Sequence, residues 1–192
     1  MSQYLRDARR YEEATERLIP PQDRPAFHLS ARVGWMNDPN GFSWHDGQYH
    51  LFYQYHPYDS RWGPMHWGHA VSADLLHWRY LPAAMAPDMP YDRKGCFSGS
   101  AITLADGRQL LMYTGVAEEI GPNGAPRKVQ TQNLAFGDGT DYVKFGATRS
   151  SPPPTCPRAA VATTSGTRSC SNARTAGAAS WPTTRLARVA GF

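Results

Sequence analysis

The stretch HDGQYHLFYQYH, His45 to His56, decides how the chain is to be read. It opens on an Asp-Gly pair, a dipeptide that suits tight hairpins because both residues tolerate positive φ. Nine residues rich in Tyr and Phe follow, short for a helix and weighted towards β-formers. The same pattern recurs downstream. HWGHAVS precedes HWRYL, CFSGSAITL runs into the turn ADGR and then QLLMYTGVA, and VQTQNLAF runs into GDGTD. There is no sign of βαβ alternation among these runs. An antiparallel all-β architecture, a propeller or a sandwich, is therefore expected.

The two flanks read differently. Over residues 3–19, Tyr4, Leu5, Ala8, Tyr11, Ala14 and Leu18 fall close to helical spacing, and Pro20-Pro21 stops the run. We expect an N-terminal helical segment over 1–24 that docks or caps and carries no catalytic group. The β region then covers 25–146. Residues 147–192 change character: Ala, Thr, Ser, Pro and Arg make up 35 of 46 positions, with no Asp, Glu or Lys. Aliphatic bulk there is limited to Val161, Leu186 and Val189, so the segment is expected to be a disordered basic tail. Its composition is what a GC-rich gene gives in the wrong frame, and we read it as out-of-frame translation.

Charge follows the same division. The net charge is +4 over 192 residues, yet residues 1–146 sum to −2 and the tail supplies +6. The basic pI belongs to the tail rather than to a face of the folded part, so no nucleic-acid partner is expected. Cys96, Cys156 and Cys170 are an odd count with no CxxC pair, which indicates neither a disulfide framework nor zinc. His66 and His69 in HWGH would sit on opposite faces of a strand. No metal or other cofactor is expected. His50, His56, His66 and His69 read as ordinary β-surface residues. The first 18 residues lack an apolar core and no stretch approaches a membrane span, so a cytoplasmic location without membrane contact is expected. Nothing in the sequence fixes an oligomeric state.

The chemistry centres on GWMNDPNGF, Gly34 to Phe42. Asn37, Asp38, Asn40 and Gly41 are all turn formers, and Asp38 alone reads as a turn residue. Trp35 and Met36 precede it, which suggests a loop leaving a packed strand. Gln54, His56, Trp62, His66, Trp67 and His69 follow. Flat aromatics meet sugar ring C–H faces and amides satisfy hydroxyls, so the mixture suits a small-molecule sugar ligand. Trp62 and Trp67 would equally suit a core.

Five motifs now stand in order: GWMNDPNG, LFYQYHP (Leu51–Pro57), WGPMHWGHA (Trp62–Ala70), SADLLHW (Ser72–Trp78) and CFSGSA (Cys96–Ala101). Together they resemble glycoside hydrolase family 32, the invertases, sucrose-6-phosphate hydrolases, levanases and inulinases, from about Pro25 to Phe145. The resemblance implies an incomplete five-bladed β-propeller of two to three blades. It implies retaining hydrolysis of a β-fructofuranoside such as sucrose or sucrose 6-phosphate, with Asp38 as nucleophile. Trp35, Met36 and Asn37 would shape the pocket, and Gln54, Trp62, Phe97 and Ser98 would line the fructosyl subsite.

Two further acids that the resemblance requires are missing from the sequence. There is no Arg-Asp-Pro stretch and no Glu-Cys pair to carry the general acid/base. Of five Glu, three lie in the N-terminal helix, and Glu118 and Glu119 read as a solvated pair in the loop AEEIGPNG. The expectation is a family member whose 192-residue chain is inactive. A non-catalytic fructoside-binding β domain, or a fragment without function, is the alternative. An unclosed ring would leave one core face open, and poor folding or aggregation is expected of it.

Overall fold

The computed structural model describes residues 1–145. The readings of 147–192 as disordered and as out of frame lie outside the described residues. Helix α1 spans Gln3–Glu16 and is followed by eight strands: β1 (Trp35–His45), β2 (Gln48–His56), β3 (His66–Ser72), β4 (Arg79–Met85), β5 (Gly95–Thr103), β6 (Gln109–Ile120), β7 (Pro126–Gly137) and β8 (Tyr142–Lys144). They form two antiparallel sheets of four, ordered β1-β2-β3-β4 and β5-β6-β7-β8. Each sheet is a simple meander in chain order, the form of a propeller blade. Asp46 and Gly47 both hold positive φ, at 45° and 74°, and close the β1–β2 hairpin in two residues.

The strands read from sequence at 48–56 and 66–72 match β2 and β3 residue for residue. Two expectations need correcting. GWMNDPNGF is not a loop leaving a strand: from Trp35 onward it lies inside β1. Register shifts between Met36 and Pro39 and between Asn40 and Ser43 absorb the turn-forming residues. Gly41 sits in the second irregularity at φ 51°, where a Cβ would come within 2.8 Å of the Phe52 ring. Glu118 and Glu119 are not in a loop either. They extend β6 opposite Lys128 and Arg127, where opposite charges across the pair favour continued pairing.

Helix α1 is capped by Ser2, whose Oγ accepts the Leu5 N–H at 3.2 Å. It ends at Glu16, short of the expected residue 19. Its buried face is Leu5, Ala8 and Glu12. Two of its side chains treat the edge strand β4 as a partner strand would. Arg9 Nε donates to the Ala83 carbonyl and Glu12 Oε1 accepts the Ala83 N–H, both at 2.9 Å, which blunts the exposed edge. Burial pushes the Glu12 carboxyl above its ordinary range, while Arg32 Nη1 at 2.9 Å supplies the opposing charge. Arg9 also reaches Asp141, in the β7–β8 turn, at 2.6 Å.

The main core fills the space between the two sheets, with Phe52, Trp67, Met85, Leu111, Tyr113 and Ala135 at its centre. A second cluster covers the other face of the first sheet: Leu5, Val33, Tyr53, Tyr55, Ala70, Ala83 and Ala86. The expectation of surface histidines fails for three of the four, since His50, His66 and His69 are buried. Sheet packing explains it. His69 stacks on Phe52 with centroids 4.2 Å apart, and its Nε2 meets His50 Nδ1 at 3.0 Å. Burial lowers the His50 and His66 imidazoles to about 4 and His69 well below its ordinary value. Lys144 locks β8 onto the β4–β5 connection through Asp88 at 2.7 Å and Asp92 at 2.6 Å.

Candidate active site

Each sheet begins with the strand that carries a sequence motif, and the fold sets those two strands side by side. Asn40 on β1 fastens them: its Oδ1 accepts the Gly99 N–H of β5 at 3.2 Å. Asn40 is 3% exposed and its Nδ2 has no partner among the described residues. Two residues before it stands Asp38, exposed at the surface of β1. Ser98 Oγ donates to Asp38 Oδ2 at 3.3 Å across 60 residues of sequence. The strand irregularities on either side of Asp38 and Asn40 allow one carboxylate to face out while the neighbouring amide faces in.

The other expected site residues fall into two groups. Trp35 and Asn37 lie beside Asp38, tied to each other by Trp35 Nε1 donating to Asn37 Oδ1 at 2.7 Å. Trp62, on the β2–β3 connection, meets Phe97 edge-on at 6.2 Å and 88°. It is 56% exposed, so of the two tryptophans it is Trp67 that belongs to the core. Gln54 and Met36 are placed differently. Gln54 is buried and donates from Nε2 to the Cys96 carbonyl at 3.0 Å, tying β2 to β5. Met36 packs against the second hydrophobic cluster. Asn40 was legible only as a turn former. Trp67, whose Nε1 donates to the Phe97 carbonyl at 3.2 Å, was left open between core and ligand.

No other carboxylate among the described residues is hydrogen-bonded to this group. Glu118 and Glu119 pair with Lys94 at 3.5 Å and Arg127 at 3.4 Å. Asp92 is buried and holds Lys144 and the Tyr113 hydroxyl. Two cavities, of about 150 and 190 Å³, lie against Arg24, Trp78 and Tyr80 and against Leu5, Met85 and Lys144, away from Asp38. Among the described residues no three His, Cys, Asp or Glu side chains group as metal ligands. No helix there is long and apolar enough to cross a membrane. An exposed carboxylate with a serine hydroxyl, an indole and an amide nearby thus stands on the first strands of two adjacent meanders. The fold class is that of part of a β-propeller, built from four-stranded antiparallel blades.

Residues 28–157 match the glycosyl hydrolases family 32 N-terminal domain, and the chain belongs to that family. It is 47% identical over 137 residues to a sucrose-6-phosphate hydrolase of Zymomonas mobilis subsp. mobilis, covering 70% of this chain and 26% of that protein. To beta-fructofuranosidase 1 of Zea mays it is 54% identical over 112 residues, covering 58% of this chain and 16% of that one. Among solved structures, the GH32 beta-fructofuranosidase of Bombyx mori superposes with a TM-score of 0.65 at 41% identity, over 78% of this chain and 31% of that one. A variant of the Bombyx mori protein is solved in complex with sucrose. The chain thus spans about a quarter of the length of the Zymomonas relative and less of the Zea one.

Proposed function

We propose that this chain carries the nucleophile and part of the fructosyl-binding wall of a retaining β-fructofuranosidase that acts on sucrose or sucrose 6-phosphate. Asp38 attacks the anomeric carbon of the fructosyl unit. Ser98, hydrogen-bonded to it, holds the carboxylate towards the sugar. Trp35, Asn37, Trp62 and Phe97 shape the space around it, and Gln54 and Met36 support that wall from behind. The observation that carries the reading is the Ser98–Asp38 hydrogen bond, which joins two motifs 60 residues apart at one carboxylate. The names and sequence identities of the relatives support the substrate class.

Retaining hydrolysis needs a second carboxyl roughly 5–5.5 Å from the first, to protonate the leaving oxygen and then activate water. The sequence has no Glu-Cys pair to supply it, and Glu118 and Glu119 are engaged by Lys94 and Arg127. The 192-residue chain therefore binds sucrose without releasing fructose. A fructose-release assay and a calorimetric titration with sucrose test this together. The expected result is measurable heat of binding and no fructose. Sustained fructose release would sink the claim of inactivity, and absence of binding would sink the claim of a fructosyl wall and leave a fragment without function.

A further inference from the structure

The two side chains that meet at the site both stand outside regular pairing. On β1, Asn37 and Asp38 fall in the register shift between Met36 and Pro39, opposite Gln54 alone. On β5, Ser98 is the extra residue in the shift between Phe97 and Gly99. A bulged residue is released from the ladder, so its place is set by whatever anchors its neighbours. Here each bulge is followed at once by an anchor, and the two anchors hold each other. Pro39 and Asn40 return to pairing opposite Tyr53 and Phe52. Gly99 returns opposite Tyr113, so close to β6 that a Cβ would stand 1.9 Å from the Met112 carbonyl oxygen. Asn40 Oδ1 then accepts the Gly99 N–H at 3.2 Å. The strands are in close approach here, since a Cβ on Gly41 would lie 3.1 Å from that of Ala101.

Resting on the reading of Asp38 as nucleophile, we propose that Asn40 is a positioning residue. Its amide clamps the β1 bulge to the β5 bulge and so sets the Asp38 carboxylate against the Ser98 hydroxyl. Asn40 follows Asp38 by two residues and Gly99 follows Ser98 by one, so the clamp is a short bridge between groups 60 residues apart in sequence. The Ser98–Asp38 hydrogen bond is long, at 3.3 Å, and joins two exposed residues, where water competes for both partners. The Asn40 amide is buried, where a hydrogen bond is electrostatically stronger. The weaker contact is thus held in place by the stronger one. The residue type fits this role. A buried amide with its Nδ2 unpartnered among the described residues gives up stability. An apolar side chain would fill the seam without that cost, but would leave the Gly99 N–H without its acceptor. Farther along the seam, Thr103 Oγ1 donates to the Trp44 carbonyl at 2.8 Å, a tie that fastens the strands well away from the two bulges.

Labelling of the full chain with β-fructofuranosyl fluoride tests this. The Asp38 carboxylate displaces fluoride from the anomeric carbon, a C–O bond forming as the C–F bond breaks, and mass spectrometry follows the adduct over a range of reagent concentrations. Asn40→Ala should lower the maximal labelling rate about tenfold or more and move the half-saturating concentration less than about threefold. In a Ser98→Ala background the same change should cost less than about threefold, because the contact it acts through is already gone. Gln109→Ala is the control. Gln109 is also buried and also bonds across the sheets, to Ser43 Oγ at 2.8 Å, but farther along β1 from Asp38, and its loss should leave labelling unchanged. Should Asn40→Ala not fold, Asn40→Ser carries the same expectation, its hydroxyl being too short to reach Gly99. In the wild type, the Gly99 amide should exchange about tenfold or more slowly than a free glycine amide. A labelled wild type whose Asn40 variants label as fast, an equal loss in Gln109→Ala, an undiminished loss in the Ser98→Ala background, or free exchange at Gly99 would overturn this inference alone. A wild type that is never labelled would overturn the reading of Asp38 and this inference with it.

Discussion

Among the described residues the first sheet is closed in and the second is half open. Strand β3 is buried at all seven positions, whereas β7 is buried at one of twelve. The strands do not differ in kind: both sheets are four-stranded meanders with an apolar face to share. What differs is the cover. The first sheet has the second on one side, and helix α1 with residues around Ile19, Leu29 and Val33 on the other. Among the described residues the second sheet has only the first. A meander of this kind therefore gains most of its stability from its neighbours, and its own hydrogen bonds hold shape more than they supply free energy.

The sharpest way to break that comparison is a matched pair of truncations. Trp67 is fully buried between the sheets, and Trp67→Ala should cost about 3–5 kcal/mol or abolish folding. Val143→Ala, on the open face, should stay within about 0.5 kcal/mol. Urea melts of the two variants measure this, and similar costs would mean that the second sheet is covered after all. A slightly smaller effect is expected at the helix. Glu12→Ala leaves the buried Ala83 N–H without its acceptor and Arg32 with Glu16 alone, for a loss of about 1–3 kcal/mol. Loss well under about 1 kcal/mol would show that α1 is not what protects the first sheet's edge.

A further expected effect is graded by pH. His50, His66 and His69 are held neutral by burial, the first two at about 4. Unfolded, each imidazole takes a proton near its ordinary value of about 6.5. Stability is therefore full above that value. It declines as pH falls towards 4, because the unfolded chain gains protons that the fold refuses. The slope should reach about 1.4 kcal/mol per pH unit for each histidine that titrates. Chemical denaturation at pH 7.5 and pH 5 checks it, and equal stabilities would contradict the burial argument.

Much of this was legible before the structure. A short run rich in Tyr and Phe after Asp46-Gly47 located β2 to the residue, because a hairpin's register is fixed by its turn, and the short run HWGHAVS located β3. The interruption of β1 was not legible. Asn37, Pro39 and Gly41 announce a turn, and only pairing with Phe52 and Tyr53 shows that bulges keep them in the strand. Histidine burial was invisible for a related reason: a neutral imidazole stacked on Phe52 depends on which strand faces which. In the site, motif order marked Asp38 and Ser98. The role of Asn40, which needs the partner strand β5 to be seen, could not be read from a residue that also suits a turn.

One measurement bears most directly on the claim that Asp38 is a nucleophile without its acid. β-Fructofuranosyl fluoride carries a leaving group that needs no proton, so an enzyme lacking only the acid/base can still form the covalent fructosyl intermediate and cannot readily release it. Mass spectrometry of the digested chain should find a single fructosyl adduct on the peptide containing Asp38, absent from Asp38→Ala. A chain that stays unmodified, or is modified at another residue, would contradict the account.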